Sequence, residues 1–152
     1  MLSGDGFRGG VTGSKESELV AMDPIADLLT IIRNAQAVGK EKVELPHSTA
    51  KEVLSRLLKD NGYLSDVRVF KVSGKVYKRL SLTLRYIAGR PAVGHIELVS
   101  KPGKRVYASR DKLPQALRGG VGIVIVSTSR GLLTSAEARK RNLGGEVICQ
   151  VW

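Results

Sequence analysis

Several things that a function class would need are scarce in this chain. Cysteine occurs once, at Cys149. That excludes an internal disulfide and a cysteine-rich zinc site, and points to a reducing compartment. Aromatic residues make up 5%, too few for a platform on which successive bases stack. No apolar run approaches the ~20 residues needed to span a bilayer, and the N-terminus lacks the apolar stretch of a secretory signal. Acid is scarce too: 14 Asp and Glu stand against 25 Lys and Arg, a formal net charge of +11. Hydrophobic residues reach 42% of the 152, so the charge sits on a folded body and not on a disordered tail. Such an excess attracts a polyanion: nucleic acid first, an acidic membrane surface or an acidic partner after it.

Catalytic signatures are missing as well. His47 and His95 are isolated, with no Ser, Cys or carboxylate motif around either, and read as surface or packing histidines. Cys149 lies in the apolar run Val147-Ile148-Cys149, with no adjacent cation to turn it into a thiolate. No Walker loop, dinucleotide fingerprint, HExxH or GxSxG occurs. The expectation is a protein that is not an enzyme, with no cofactor, no metal, no membrane and no small-molecule substrate.

What is present falls into three parts. Residues 1–21 are rich in glycine, carry a net −1 and show no apolar period, which reads as a flexible extension. At Asp23-Pro24 a capping carboxylate precedes a proline suited to the first helical position. Ile25, Leu28, Leu29 and Ile32 then mark one buried helical face; Asp27, Thr30 and Asn34, with Arg33 beside them, line a polar face that reads first as simply solvated. A short strand is expected over Val43–Leu45, followed by a second helix opened by Thr49 and Glu52 at capping-box spacing and closed at Asn61-Gly62. Strands over Leu64–Phe70 and Lys78–Tyr86 flank a turn at Ser73-Gly74. Leu80, Leu82, Leu84 and Tyr86 alternate with Ser81, Thr83 and Arg85.

Gly89-Arg90-Pro91 divides the chain. Residues 22–90 form an N-terminal α-β-α-β-β domain and residues 91–152 a mostly β C-terminal domain with short helices. The fold class is thus α+β, two small α/β domains. Each of these two parts carries a net +6. In the second, strands are expected over Gly94–Val99 and Lys104–Tyr107 around the Lys101-Pro102-Gly103 turn. A short helix should run from Asp111 to Leu117 and stop at Gly119-Gly120. A buried strand follows over Val121–Val126, then the Ser127-Thr128-Ser129-Arg130-Gly131 turn. A brief helix opened by Thr134 and Glu137 ends near Asn142, and a last strand covers Glu146–Trp152.

Three places carry candidate recognition chemistry. The hydroxyls of Ser127, Thr128 and Ser129 both donate and accept, and Arg130 adds charge beside them; an ordinary polar turn has the same composition. The stretch Lys101–Tyr107 joins a tight turn, basic groups and one ring, and would equally serve as a charged hairpin with Tyr107 in the core. Gly144-Gly145-Glu146 sets an acid on a basic surface, where it is either structural or accepts from base amino groups. Arg139-Lys140-Arg141 reads as a phosphate patch or as a helix end complementing its dipole.

At these residues the chain resembles a known family. Met22 through Ala35 is similar to the opening helix of the eighth protein of the bacterial small ribosomal subunit. Ser127–Gly131, then Gly144–Cys149 and Val151-Trp152, resemble that family's C-terminal signature in order and spacing, and Val99–Tyr107 its central hairpin. The likeness spans residues 22–152. It implies direct, early binding to a bulged helix in the central domain of 16S rRNA, support of subunit assembly, and contact with neighbouring small-subunit ribosomal proteins, at the cytoplasmic ribosome. Some members bind a mimic of that site in their own message, which adds the chain's own mRNA as a candidate partner. By motif position the resemblance assigns RNA binding to Ser127, Thr128, Ser129 and Glu146, and neighbouring Arg130 and Gly145 are candidate RNA-binding residues beside them. It gives Tyr107 and Lys101 a supporting role, and Thr30, Arg33 and Asn34 the helix face that approaches RNA. Residues 1–21 have no family counterpart, and Gln150 stands where an aromatic often precedes the final Val-Trp. A free DNA-binding module would need a recognition helix, and none of the expected helices is a clear one.

Overall fold

The computed structural model describes residues 13–114 and 122–152. Helix α1 runs from Gly13 to Ala37 with Pro24 inside it, so Asp23 is not its cap. Lys15, Glu16, Glu18, Leu19 and Ala21 are good helix formers, and Pro24 removes one hydrogen bond without preventing the turn before it. The expected apolar face is the buried one: Ile25, Leu28, Leu29 and Ile32 are all at most 2% exposed.

Strand β1 (Lys42–Pro46) and helix α2 (Thr49–Asp60) follow. The cap of α2 is Ser48, not Thr49: its hydroxyl accepts from the Lys51 amide at 3.2 Å. Glu52 then lies one residue too far along to reach back to the cap, and it bonds His47 and Arg56 instead. Strands β2 (Leu64–Lys71) and β3 (Lys78–Leu84) form a hairpin, and β3 is the central strand of an antiparallel β1-β3-β2 sheet. Leu80, Leu82 and Leu84 turn into the core as their alternation predicts. Tyr86 is not part of that strand. It begins β4 (Tyr86–Ile87), which pairs β5 (Arg90–Pro91), and its hydroxyl donates to the Lys40 carbonyl at 2.7 Å.

The rest builds a second antiparallel sheet. Its strands are β6 (Ile96–Leu98), β7 (Tyr107–Ala108), β8 (Ile123–Thr128), β9 (Gly131–Thr134) and β10 (Gly145–Val151), in the order β9-β8-β10-β6 with β7 also on β10. Strands β6 and β7 lie along one edge of β10, and the Lys101 turn is an excursion between them. Between β7 and β8, a 3₁₀ turn covers Arg110–Lys112 in place of the expected helix. Leu113 leaves that turn in an extended conformation, and residues 115–117 of the expected helix, with Gly119-Gly120 and the first strand residue Val121, lie outside the described residues. Helix α3 (Ser135–Lys140) is capped by Thr134 as its spacing predicts.

Alternation along β8 feeds two cores. Ile125 joins the leucines of α1, α2 and β3, and that cluster continues through Val93, Ile96, Ile148, Cys149 and Val151, so it crosses Gly89-Arg90-Pro91. Val124 and Val126 face the other way, onto Ala138 of α3 and Leu113. The second sheet is therefore clamped on both faces, which holds the ends of its strands in fixed register.

Candidate nucleic-acid interface

Two of the three serine-threonine hydroxyls lie in β8, not in the turn. Gly131 pairs Thr128 in the β8–β9 hairpin, which leaves Ser129 and Arg130 as a two-residue connection. Neither has positive φ, whereas Gly131 takes φ +98°. Strand twist is thus absorbed at the glycine, where a side chain would be strained. Thr128 closes the hairpin: its Oγ1 donates to the Gly131 carbonyl at 2.9 Å and accepts from the Arg130 amide at 3.0 Å. The Ser129 hydroxyl has no hydrogen bond among the described residues, and both Ser129 and Arg130 are exposed.

Register assembles the rest of the site. Glu146 of β10 stands opposite Ser127 on one side and Tyr107 on the other. Directly opposed residues of antiparallel strands share a face, so Tyr107, Glu146 and Ser127 form one transverse row. Tyr107 is not a core residue: it is 62% exposed. Gly145, opposite Ala108, lets the strands close up. A Cβ there would meet the Ser127 carbonyl oxygen, lie 2.9 Å from its carbon and stand 3.3 Å from Thr128 Cα.

Glu146 is half-buried and paired. Its carboxylate accepts from the Arg105 guanidinium at 3.3 Å, with the two side chains 12% and 16% exposed. Underneath, Ser100 fastens the excursion to β10. Fully buried, it donates to the Val147 carbonyl at 2.6 Å and accepts from the Val106 amide at 2.9 Å. The turn itself closes through paired bonds between Lys101 and Lys104, leaving both lysines exposed. Ser100 and the partner role of Arg105 were not singled out from sequence. A polar residue between Val99 and the turn was the available signal for Ser100; nothing local links residue 105 to 146.

The α1 residues are placed elsewhere. Arg33 is not simply a free cation, because its guanidinium donates to the Ile96 carbonyl at 2.6 Å, and neighbouring Gln36 donates to Val93. Ile96 pairs Val151, at the opposite end of β10 from Glu146, roughly 17 Å away at strand rise. Thr30 and Asn34 are exposed on the same helix. Of the basic run, Arg139 donates to the Leu113 carbonyl and Arg141 pairs Glu137, so two of its three charges have structural work.

The histidines and the thiol are accounted for by packing. His47 is not isolated: it lies 2.7 Å from Glu52, and that hydrogen bond, with Arg56 behind it, holds the Glu52 carboxyl below its ordinary range. His95 packs on Trp152 with ring centroids 4.5 Å apart. Burial pushes the Cys149 thiol up to about 12, so a thiolate does not form at neutral pH. Among the described residues no group of His, Cys, Asp and Glu could hold a metal ion, and no helix is long and apolar enough to cross a membrane. What this end of the sheet offers is hydroxyls, a ring, a neutralised carboxylate and exposed cations: chemistry for binding a polar, anionic polymer.

A family model described as Ribosomal protein S8 matches residues 23–152. The small ribosomal subunit protein uS8 of Shewanella amazonensis is 50% identical over 129 residues, covering 85% of this chain and 96% of the relative. The protein of that name from Thiobacillus denitrificans is also 50% identical over 129 residues, with the same coverage. The one from Bordetella avium is 49% identical over 130 residues, again 85% and 96%.

Proposed function

Because this chain belongs to the ribosomal protein S8 family, we propose that it is a structural constituent of the small ribosomal subunit that binds the central domain of 16S rRNA directly and supports assembly. It acts there by shape and hydrogen bonding, without catalysis. The observation that carries this reading is the Tyr107–Glu146–Ser127 row with the Ser129-Arg130 hairpin at its end. The free Ser129 hydroxyl and the Glu146 carboxylate supply selective contacts, while Lys101 and Arg130 meet phosphates. In this division residues 91–152 carry the selective surface. Residues 22–90 add a second approach along Thr30, Asn34 and the outer edge of Arg33, and residues 1–21 have no assigned role.

Footprinting of the purified chain on small-subunit rRNA tests the proposal. Protection should be confined to one irregular helix of the central domain, and the protein should sediment with small subunits in high-salt gradients, beside other small-subunit proteins. Recovery only in free or DNA-associated fractions would overturn it. The same surface would bind the chain's own mRNA wherever that message repeats the shape. The isolated rRNA helix should then compete the message away, and failure to compete would refute this extension.

A further inference from the structure

The β2–β3 hairpin ends in a cluster that the fold does not explain. Residues 67–79 contain five basic residues (Arg68, Lys71, Lys75, Lys78 and Arg79) and no acid. Arg68 is bonded to Asp66; the other four have no ion pair among the described residues. Lys71 stands directly opposite Lys78 in the last pair of the ladder, and like charges so placed destabilise a hairpin. Beyond that pair, Val76 is 94% exposed and Tyr77 53%. Folding alone would favour neither the facing cations nor the bare apolar tip, and local rules are broken most often where a surface binds something.

The position is also separate from the site already described. Tyr63, just before β2, donates to the Val151 carbonyl at 3.4 Å, so the second sheet meets the start of this hairpin. The tip lies seven residues further along β2, roughly 23 Å at strand rise. At its base His47 donates its amide to the Lys78 carbonyl, and Glu52 is already held by His47 and Arg56.

The geometry points to this tip as a further RNA-contact surface, apart from the strand row and the α1 face: the Tyr77 ring and Val76 lie against an unpaired base or sugar while Lys71, Lys75 and Lys78 meet the phosphates on either side. Lysines supply affinity without sequence preference, and a ring accepts any base face. The inference rests on RNA as the partner but not on the Tyr107–Glu146–Ser127 row.

The test titrates a 20-nucleotide oligouridylate with the full chain across a range of KCl concentrations. Lys75→Ala and Lys78→Ala should each lower the salt slope by about 0.7. Tyr77→Ala should weaken binding about ten-fold with the slope unchanged. Ultraviolet crosslinking of the full chain to small-subunit rRNA should add a nucleotide to Tyr77. None of these side chains is in the core, so folding is not at stake, and Val76→Ser should repeat the loss. Unchanged oligouridylate binding in the tip variants would overturn the inference. So would a defect confined to recovery of neighbouring proteins in reconstituted subunits, which would make the tip a protein contact. Loss of specific-helix binding in Ser129→Ala with the tip variants unaffected would leave the proposed function standing and remove this inference alone.

Discussion

Removing the Ser100 hydroxyl should do damage out of proportion to its size. Ser100 is fully buried, and its one oxygen serves both the Val147 carbonyl at 2.6 Å and the Val106 amide at 2.9 Å. In Ser100→Ala the half-buried Val106 N–H loses its acceptor, at about 1–3 kcal/mol, and the lost bond to Val147 adds about 1 kcal/mol. The sum is about 2–4 kcal/mol. With a urea slope of about 2 kcal/mol per molar, the denaturation midpoint should fall by roughly 1–2 M. Ser73→Ala, at an exposed turn, is the control and should stay within about 0.5 kcal/mol. The variant should also lose affinity for the specific RNA helix more than for oligouridylate, since Ser100 holds the excursion from which Arg105 reaches Glu146. A midpoint shift under about 0.3 M, no larger than an ordinary surface change, would refute the assignment of Ser100 as the fastener.

The remaining predictions concern the same end of the sheet. Thr128→Ala should cost about 1 kcal/mol by opening the hairpin, whereas Thr128→Ser should restore both bonds; equal melts for the two would show that the Oγ1 bonds contribute nothing. Ser129→Ala should leave thermal stability unchanged and weaken specific RNA binding, and a lowered melting temperature would show that this hydroxyl is spent on the fold. Gly145→Ala forces β8 and β10 apart and should destabilise by about 1–3 kcal/mol, the range for overpacking, while lowering specific affinity; a melt equal to wild type would contradict the close approach. Cys149 should react with a thiol reagent only as fast as the protein unfolds, from pH 6 to 9, since its titration lies at about 12. Rapid labelling of the native chain would argue against its burial.

Much of the frame was legible because it follows from periodicity. The face Ile25–Leu28–Leu29–Ile32, the alternation Leu80–Leu82–Leu84 and the run Val124–Ile125–Val126 all pack as their spacing implies. Errors gathered where one local rule met another. A proline suited to starting a helix is tolerated inside α1, and Ser48 outcompeted Thr49 because it stands one residue earlier, where its hydroxyl reaches the third amide. Strand β9 has only four residues, too few for a period to register. Partners distant in sequence left no local trace: Arg105 with Glu146, Ser100 with Val147, and Arg33 with Ile96. Arg33, which the resemblance puts on the helix face that approaches RNA, also ties α1 to β6 through its guanidinium.

The Arg105–Glu146 pair bears on how a basic protein discriminates among RNAs. Net positive charge is the same over residues 22–90 and 91–152, and phosphate contacts made by such cations are blind to sequence. A bare carboxylate in such a surface would repel a phosphate 4 Å away by about 4 kcal/mol at an effective dielectric of 20. Arg105 offsets most of that repulsion while leaving carboxylate lone pairs able to accept. The row can then lie close to RNA without binding every phosphate that passes. If RNA lies on this row, as proposed, a base amino group would gain from the carboxylate and a phosphate would not, at the point where Tyr107 and Ser127 stand on either side of it. On the proposed function, selectivity would come from this interruption of the basic surface, which Gly145 and Ser100 hold in place.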